Sequence, residues 1–441
     1  MGGSWNSEGT IVFGVSGDGS PLYKVSADGG AASPVTRLVD GHRTHRFPQF
    51  LPDGRHFIFV ARTTAGPGVY VGSLDSMETH RLMDSDAAAV FASPDQILFS
   101  SKGSLLAQRL DLKELTLVGS PVPVSGQIDG DWSNANTSLV GSTFVTASSN
   151  GRLAYRPNNG RTQLVVLDRS GHETGRIPDS EFTRDTKASP DQRTLAVTRD
   201  IGGNVDVWLL DIDRGIPRRI TTDAAFEGGP VWSPDGKQIA YVSNRKGVYD
   251  VYLKSVDAND EKPLLESPAG KAVDDWSRDG QFILYQESGL KTQDDLWALP
   301  LFGDRKPFVV LQTPNMEYGG KFSPDTHWIA YISTETGRAE VFVQSFPGAE
   351  NRQRISLSGG YAVRWRSDGR ELYVTSLDGQ LVAVPITIQG NTLKAGTPVS
   401  LFHGNVVAEI MGDGQRFIAL SQIAPPPPLT ILLNWKGAFQ K

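Results

Sequence analysis

The sequence predicts an all-β protein of about ten tandem four-stranded repeats, and three observations carry that prediction. A tight turn of the Pro-Asp-Gly kind returns at a nearly fixed interval. The segments beside each turn alternate apolar and polar residues in strand fashion. No stretch of the chain gives an amphipathic helix of three turns.

The clearest copy of the repeat runs from Pro230 to Val242 around Pro234-Asp235-Gly236, and continues through Tyr249–Leu253 to a weaker strand near Pro263–Leu265. Other turns are Pro52-Asp53-Gly54, Pro94-Asp95-Gln96, Pro190-Asp191-Gln192, Arg278-Asp279-Gly280, Pro324-Asp325-Thr326, Ser367-Asp368-Gly369 and Gly412-Asp413-Gly414. Ser7-Glu8-Gly9 and Ser149-Asn150-Gly151 are worn versions. Proline presets φ at the first corner, aspartate bonds the backbone ahead of it, and glycine accepts φ > 0. Most steps between turns are about 41 to 46 residues; the step from 95 to 150 is longer and implies an extended loop. A four-stranded unit of this length is one blade of a β-propeller, whose two apolar faces are buried only when blades pack around an axis. Trp5, Trp232, Trp276, Phe322 and Trp365 recur three residues before the acidic residue of the turn and are read as packing between blades.

A second level of repetition suggests two rings in series. Leu117–Val122 resembles Leu393–Val399, and each is followed by an irregular segment and a strand pair. The first pair would be Phe144–Ala147 with Gln163–Asp168, the second Arg416–Leu420 with Leu429–Trp435. On this reading residues 1–181 form a first propeller truncated at its N-terminus, and 182–441 form a complete six-bladed one. Rings of about four to eight blades are usual, which favours two rings over one of ten. Pro425 to Pro428 reads as a rigid loop between strands.

Composition narrows function mainly by exclusion. The chain of 441 residues has a net charge of −6, and no basic stripe marks it for nucleic acid. It has no cysteine, which removes disulfides, thiolate metal sites and cysteine nucleophiles. No apolar run is long enough for a membrane span, and the first residues lack the form of a signal peptide. The abrupt start suggests a piece of a longer protein.

Trp232-Ser233-Pro234-Asp235-Gly236-Lys237-Gln238-Ile239-Ala240-Tyr241 resembles the WD40-like repeat of TolB-type propellers, and the likeness extends over nearly the whole chain. Asp295–Pro300, Gly337–Val343, Arg364–Gly369 and Leu433-Asn434-Trp435 resemble the C-terminal propeller region of certain bacterial serine/threonine protein kinases. That resemblance implies a kinase domain ahead of the propeller. The chain itself has no Gly-rich loop with a strand lysine, no His-Arg-Asp loop and no Asp-Phe-Gly. It implies a location outside the cytoplasm if a membrane-spanning kinase is attached, and inside it otherwise.

Motifs for catalysis are sparse. There is no Gly-x-Ser-x-Gly elbow, as a prolyl-oligopeptidase-like hydrolase domain would need, and no Walker-type loop. Of seven histidines only His42 and His45 are close in sequence, without an evident third ligand, so no metal and no cofactor is expected. Adjacent carboxylates such as Asp274-Asp275 point to opposite faces of a strand. The best place for a site is the mouth of the central channel, where the loops entering the innermost strands converge. Alignment on the turn places His45, Thr183, Glu227, Lys271, Glu317 and Gly360 there, with Arg184, Asp274 and Tyr361 nearby. The ligand-binding set is therefore His45, Arg184, Glu227, Lys271, Asp274, Glu317 and Tyr361. The expected function is a non-catalytic binding or sensing module for a protein, a peptide or a small polar ligand. The alternatives are a glycan hydrolase or lyase using Glu227 and Glu317, the gate of a prolyl-oligopeptidase-like protein, or a scaffold of a TolB-like envelope complex.

Overall fold

A computed structural model of the chain describes all residues except 1, 16–19, 64–65, 86, 102–103, 128–144, 149, 156–161, 181–182, 202–203, 289–291, 293, 391, 405, 423–427, 434 and 436–441. Phe144, Ser149, Pro425 to Pro427, Asn434 and the expected boundary at 181/182 therefore lie outside the described residues. The described residues form ten antiparallel sheets and no α-helix: eight sheets have four strands, one has three and one has five.

The recurrent turn explains the repeat at the atomic level. In Ser189, Ser233, Ser277 and Ser323 the hydroxyl donates to the aspartate two residues on, at 2.6 Å in each case. The same oxygen accepts the N–H five residues on, at 2.8–3.0 Å. The aspartate accepts the N–H two residues beyond itself, at 3.0–3.1 Å. Three short bonds thus close the corner between the first two strands. Asn6 does the serine's work in the worn copy, accepting from Glu8 and Thr10.

The residue after the aspartate is left-handed in these turns, as at Gly236 (φ 70°) and Gly280 (φ 74°). Thr326 holds the same corner at φ 63° with a β-branched side chain, which the left-handed region resists. Thr326→Gly is expected to stabilise the protein by about 1 kcal/mol in chemical denaturation. A loss of stability would show that the corner carries no strain.

The chain divides into two compact units, 1–160 with 425–441, and 161–424. Unit 1 holds four sheets: Gly3–Pro34, His42–Asp84, Val90–Gln127, and a three-stranded sheet of Val145–Ala147, Leu153–Tyr155 and Thr430–Leu432. Unit 2 holds six sheets, here blades 1 to 6. Their innermost strands are Thr183–Ala188, Glu227–Trp232, Lys271–Trp276, Glu317–Phe322, Ala362–Trp365 and Val406–Ile410. Innermost strands touch from blade 1 to blade 5, blade 6 packs on blade 5 through Val407, Phe417 and Tyr373, and the innermost strand of blade 6 returns to that of blade 1, so the unit is a closed propeller.

The expected division at 181/182 is not where the strands divide. Thr162–Asp168 pairs with Arg416–Gln422 over seven residue pairs, and Leu153–Tyr155 pairs with Thr430–Leu432. The two strand pairs expected from the repeated ending have exchanged partners. Blade 6 is thus built by both ends of unit 2, with Glu173–Arg176 and Thr162–Asp168 on its outside and Val406–Ile410 and Arg416–Gln422 within. Closing a ring by strand pairing removes the exposed edges that an unclosed sheet would present. Arg169, in the turn between the two outer strands, fastens the seam. It donates to Glu371 at 2.7 Å and 3.2 Å, to Tyr373 Oη at 2.8 Å and to the Gly414 carbonyl at 2.9 Å.

Cores lie between sheets, as propeller packing requires. Ala330, Ile332, Val341 and Val343 of blade 4 pack on Val363, Leu372 and Val374 of blade 5. Trp232 and Phe322 are buried between blades, and Trp276 and Trp365 partly so. Trp5 departs from that reading. It is 63% exposed, because it stands on the first sheet of unit 1 and no preceding sheet covers its ring.

Candidate functional site: the unit 2 channel

The seven expected ligand-binding residues separate into three groups. His45 belongs to unit 1 and is sealed. Its side chain is 0% exposed, with Nδ1 2.8 Å from Thr36 Oγ1 and Nε2 2.8 Å from His42 Nδ1. Thr36 Oγ1 already accepts the Leu22 N–H at 2.9 Å, so its proton is directed at His45 Nδ1, and Nε2–H then donates to His42. This chain suits a neutral imidazole. Burial, with His42 adding to it, holds His45 down at about 3. His45 is therefore a structural residue and not a ligand-binding one.

That arrangement has a consequence for acid stability. Unfolded histidine takes a proton below about pH 6.5, whereas folded His45 stays neutral down to about 3. The unfolded state binds the extra proton throughout that window, so the contribution is complete above 6.5 and lost as pH falls towards 3. The slope is about 1.4 kcal/mol per pH unit. Denaturation of the wild type and of His45→Gln at pH 7.5 and 4.5 isolates it. The variant is expected to lose about 2–3 kcal/mol less on acidification. Equal losses would place the acid sensitivity elsewhere.

Glu227, Lys271 and Glu317 form the second group. All three stand first on their innermost strands and all are buried, at 0%, 3% and 0% exposure. Glu227 and Glu317 are bonded within their own blades and the loops that enter them, and Lys271 is bonded to the preceding blade. Glu227 accepts from Arg245 and from the Asp223 N–H. Lys271 Nζ donates to Asp250 at 2.8 Å and to the Ala269 carbonyl at 2.7 Å. Glu317 accepts from Thr313 at 2.6 Å and Ser333 at 3.2 Å. Burial raises both glutamates above their usual range. Glu227 and Glu317 therefore do not meet as a carboxylate pair at the channel mouth.

Arg184, Asp274 and Tyr361 form the third group. Arg184 is half-buried beside Asp185. Asp274 accepts the Gly320 N–H of the next blade at 3.0 Å and the Gln286 amide, and burial pushes it up to about 6. Tyr361 is 36% exposed, with its N–H bonded to the Thr375 carbonyl at 3.0 Å.

The channel waist is the level of Lys187, Val231, Asp275, Lys321, Arg364 and Glu409, one position before the recurrent aromatic in blades 2 to 5; Val231 itself packs into the core between blades 2 and 3. The six residues pair at one level with Ala196, Ala240, Leu284, Ala330, Tyr373 and Ile418 of their second strands. In five of the six strands a bulge or register shift stands just before this residue. A bulge re-aims the side chains that follow it, so alternation counted straight along the strand fails there. The available signal was the polar residue immediately preceding Trp276, Phe322 and Trp365.

The waist carries both signs of charge. Asp275 accepts the Phe322 N–H at 2.9 Å, and Glu409 accepts the Ala188 N–H at 3.3 Å, so each carboxylate stitches its blade to the next. Lys321 donates to the Asp274 carbonyl, and Arg364 Nη1 to the Val363 carbonyl at 2.9 Å. Arg364 Nε is buried with no hydrogen-bond partner among the described residues. Burial, reinforced by Arg364 and Lys321, lowers Lys187 well below the usual lysine range. Asp185 is exposed yet raised by desolvation, as befits a carboxyl enclosed by the ring but open to its bore.

At the mouth, the loop before blade 5 leans on that blade's second hairpin. Leu357 is 70% exposed and Leu377 48%, and a Cβ on Gly359 would stand 2.5 Å from Leu377 Cδ1. Tyr361, two residues beyond Gly359, is also an exposed side chain. Among the described residues no group of three or more His, Asp or Glu side chains stands ready to hold a metal ion. None of the described residues forms a helix long and apolar enough to cross a membrane.

Comparison with known proteins agrees with the architecture. A provisionally assigned TolB of Agrobacterium tumefaciens is 17% identical, over 60% of this chain and 99% of that one, with a TM-score of 0.46. The tricorn protease is 12% identical over 94% of this chain and 43% of its own, with a TM-score of 0.40. A structure from a study of two prolyl endopeptidases is 11% identical over 89% of this chain and 50% of its own, with a TM-score of 0.37. No curated protein matches the chain. Residues 146–298 match the family model of the TolB beta propeller domain. Over those residues the chain is similar to TolB-type β-propellers, and the described sheets outside them repeat the same antiparallel plan.

Proposed function

We propose that this chain is a non-catalytic interaction module that docks a protein segment or peptide on the mouth of the unit 2 channel. One observation carries the reading. Leu357, Leu377 and Tyr361, in and after the loop that enters blade 5, are exposed apolar side chains, and Lys187 and Arg364 are not spent on ion pairs within the described residues. Rigid aromatic or aliphatic anchors beside unspent charge suit an extended chain with alternating side chains. The resemblance of Asp295–Pro300 and Arg364–Gly369 to kinase-associated propellers extends the proposal to a sensing part linked to a serine/threonine kinase.

Selection of a random peptide library on the immobilised protein tests the reading. Enriched peptides are expected, with binding weakened at least tenfold, or about 1.4 kcal/mol, by Tyr361→Ser combined with Leu377→Ser. No enrichment, or enriched peptides indifferent to those changes, would overturn it.

A further inference from the structure

The charges at the waist are more specific than a general polar lining. Three cations, Lys187, Lys321 and Arg364, come from blades 1, 4 and 5 at one level of the ring. The carboxylates at that level each accept a backbone N–H of the next blade, Asp275 from Phe322 and Glu409 from Ala188. No carboxylate of the described residues stands within ion-pair distance of Lys187, Lys321 or Arg364. Arg364 leaves Nε buried and unpartnered, and Lys187 has no hydrogen bond of its own among the described residues. Buried polar donors are ordinarily satisfied, so an unsatisfied guanidinium nitrogen beside an unpaired ammonium marks a place for an acceptor.

We infer that the waist of the unit 2 channel is an oxyanion site, in which Lys187 and Arg364, flanked by Lys321, take up a carboxylate or phosphate group. The inference deepens the peptide-docking reading and rests on it: the group entering the bore is the carboxylate of the docked segment. Arg364 supplies planar, directional donors, and Lys187 supplies a mobile point charge. Asp275 and Glu409 each accept a backbone N–H of the next blade and stand beyond ion-pair distance of these cations.

Binding is coupled to a proton. Burial disfavours the charged form of Lys187, with Arg364 and Lys321 adding to that effect and Glu409 and Asp275 opposing it. Asp274, Asp185 and Arg184 complete the charged surroundings. An arriving oxyanion favours the ammonium, so binding draws a proton onto Lys187 and strengthens as pH falls towards neutrality.

Titration of the full chain with succinate and with inorganic phosphate, at constant ionic strength, tests the site. The readout is the indole N–H resonances of Trp232 and Trp365, which donate to the carbonyls of Lys187 and Lys321 at 3.1 Å and 3.2 Å. Saturable shifts with either anion are expected, with net proton uptake in calorimetry across two buffers. Lys187→Met and Arg364→Gln should each weaken binding at least tenfold, Lys187→Arg should not, and Lys394→Met on an exposed strand should change nothing. Saturation by succinate alone identifies a carboxylate site, and by phosphate alone a phosphate site. Shifts that never saturate, or that persist unchanged in Lys187→Met, would overturn the inference. Library-selected peptides that bind Lys187→Met and Arg364→Gln undiminished, yet respond to Tyr361→Ser, would remove the oxyanion site and leave the docking surface standing.

Discussion

Arg245→Met is expected to destabilise unit 2 by about 3–5 kcal/mol, the cost of leaving a buried carboxylate unpaired. Arg245 is 21% exposed and gathers a network about itself. Its two terminal nitrogens reach Glu227 and Glu261, and Nη2 also donates to Tyr241 Oη at 3.1 Å. Its Nε donates to Ser243 at 3.1 Å, and its guanidinium lies 4.4 Å from the centre of the Tyr252 ring. Methionine keeps the packing of the stem and removes every one of these donors. Glu227, fully buried, would then face Tyr241 with no cation beside it.

The pH dependence of that loss has a definite sign. Burial already raises Glu227 above its usual range while Arg245 opposes the shift. Without Arg245 the folded-state value rises further. A carboxyl raised on folding costs stability above its unfolded value, so the variant's deficit grows from pH 4.5 to pH 8. Urea denaturation at both values measures it. The double variant Arg245→Met, Glu227→Gln should recover more than half of the loss at pH 8, because the uncompensated charge is gone. A deficit under about 1 kcal/mol, with no pH dependence, would mean that the pair resembles an exposed salt bridge.

This residue also shows where the sequence was legible and where it was not. Thr183, Glu227, Lys271 and Glu317 were aligned correctly as equivalent positions, because the turn fixes the count along each repeat. Their direction was not legible. Each is buried and held by a different partner: Thr183 by the Ser180 carbonyl, Glu227 by Arg245, Lys271 by Asp250, and Glu317 by Thr313, with Glu317 Oε2 left without a partner among the described residues. A family of buried polar residues with changing partners looks, in sequence, like a ring of mixed charges around a pore. The bulge after the second residue of most innermost strands then hands the pore to Lys187, Asp275, Lys321 and Glu409. Bulges leave no fixed residue signature, so nothing short of coordinates reveals the switch. The serine–aspartate turns, by contrast, depend on bonds between residues at most five apart, and local chemistry of that kind is written directly in the sequence.

Strand exchange at the ring seam supplies the second large effect. A fragment spanning 161–424 is expected to fold cooperatively, and one spanning 182–424 is expected not to fold. The missing segment contributes two strands of blade 6 and the side chains of Leu164, Val165, Leu167 and Ile177, all at most 1% exposed. Burying four such aliphatic side chains is worth about 6–12 kcal/mol. That is comparable with the whole stability of an ordinary domain, about 5–15 kcal/mol. The loss also bares the edge of Arg416–Gln422, a row of unpaired backbone groups open to aggregation. It strips Arg169 from Glu371, Tyr373 and Gly414, the contacts that tie blade 6 to blade 5. On the other side of the seam Glu409 reaches Ala188, next to Lys187, so the channel waist depends on the same closure. Calorimetry and size-exclusion chromatography of the two fragments decide the matter. A synthetic peptide of residues 161–181 should restore a folded, monomeric complex when added during refolding of the shorter fragment. A shorter fragment that melts cooperatively at the temperature of the longer one would show that the ring closes without its N-terminal strands.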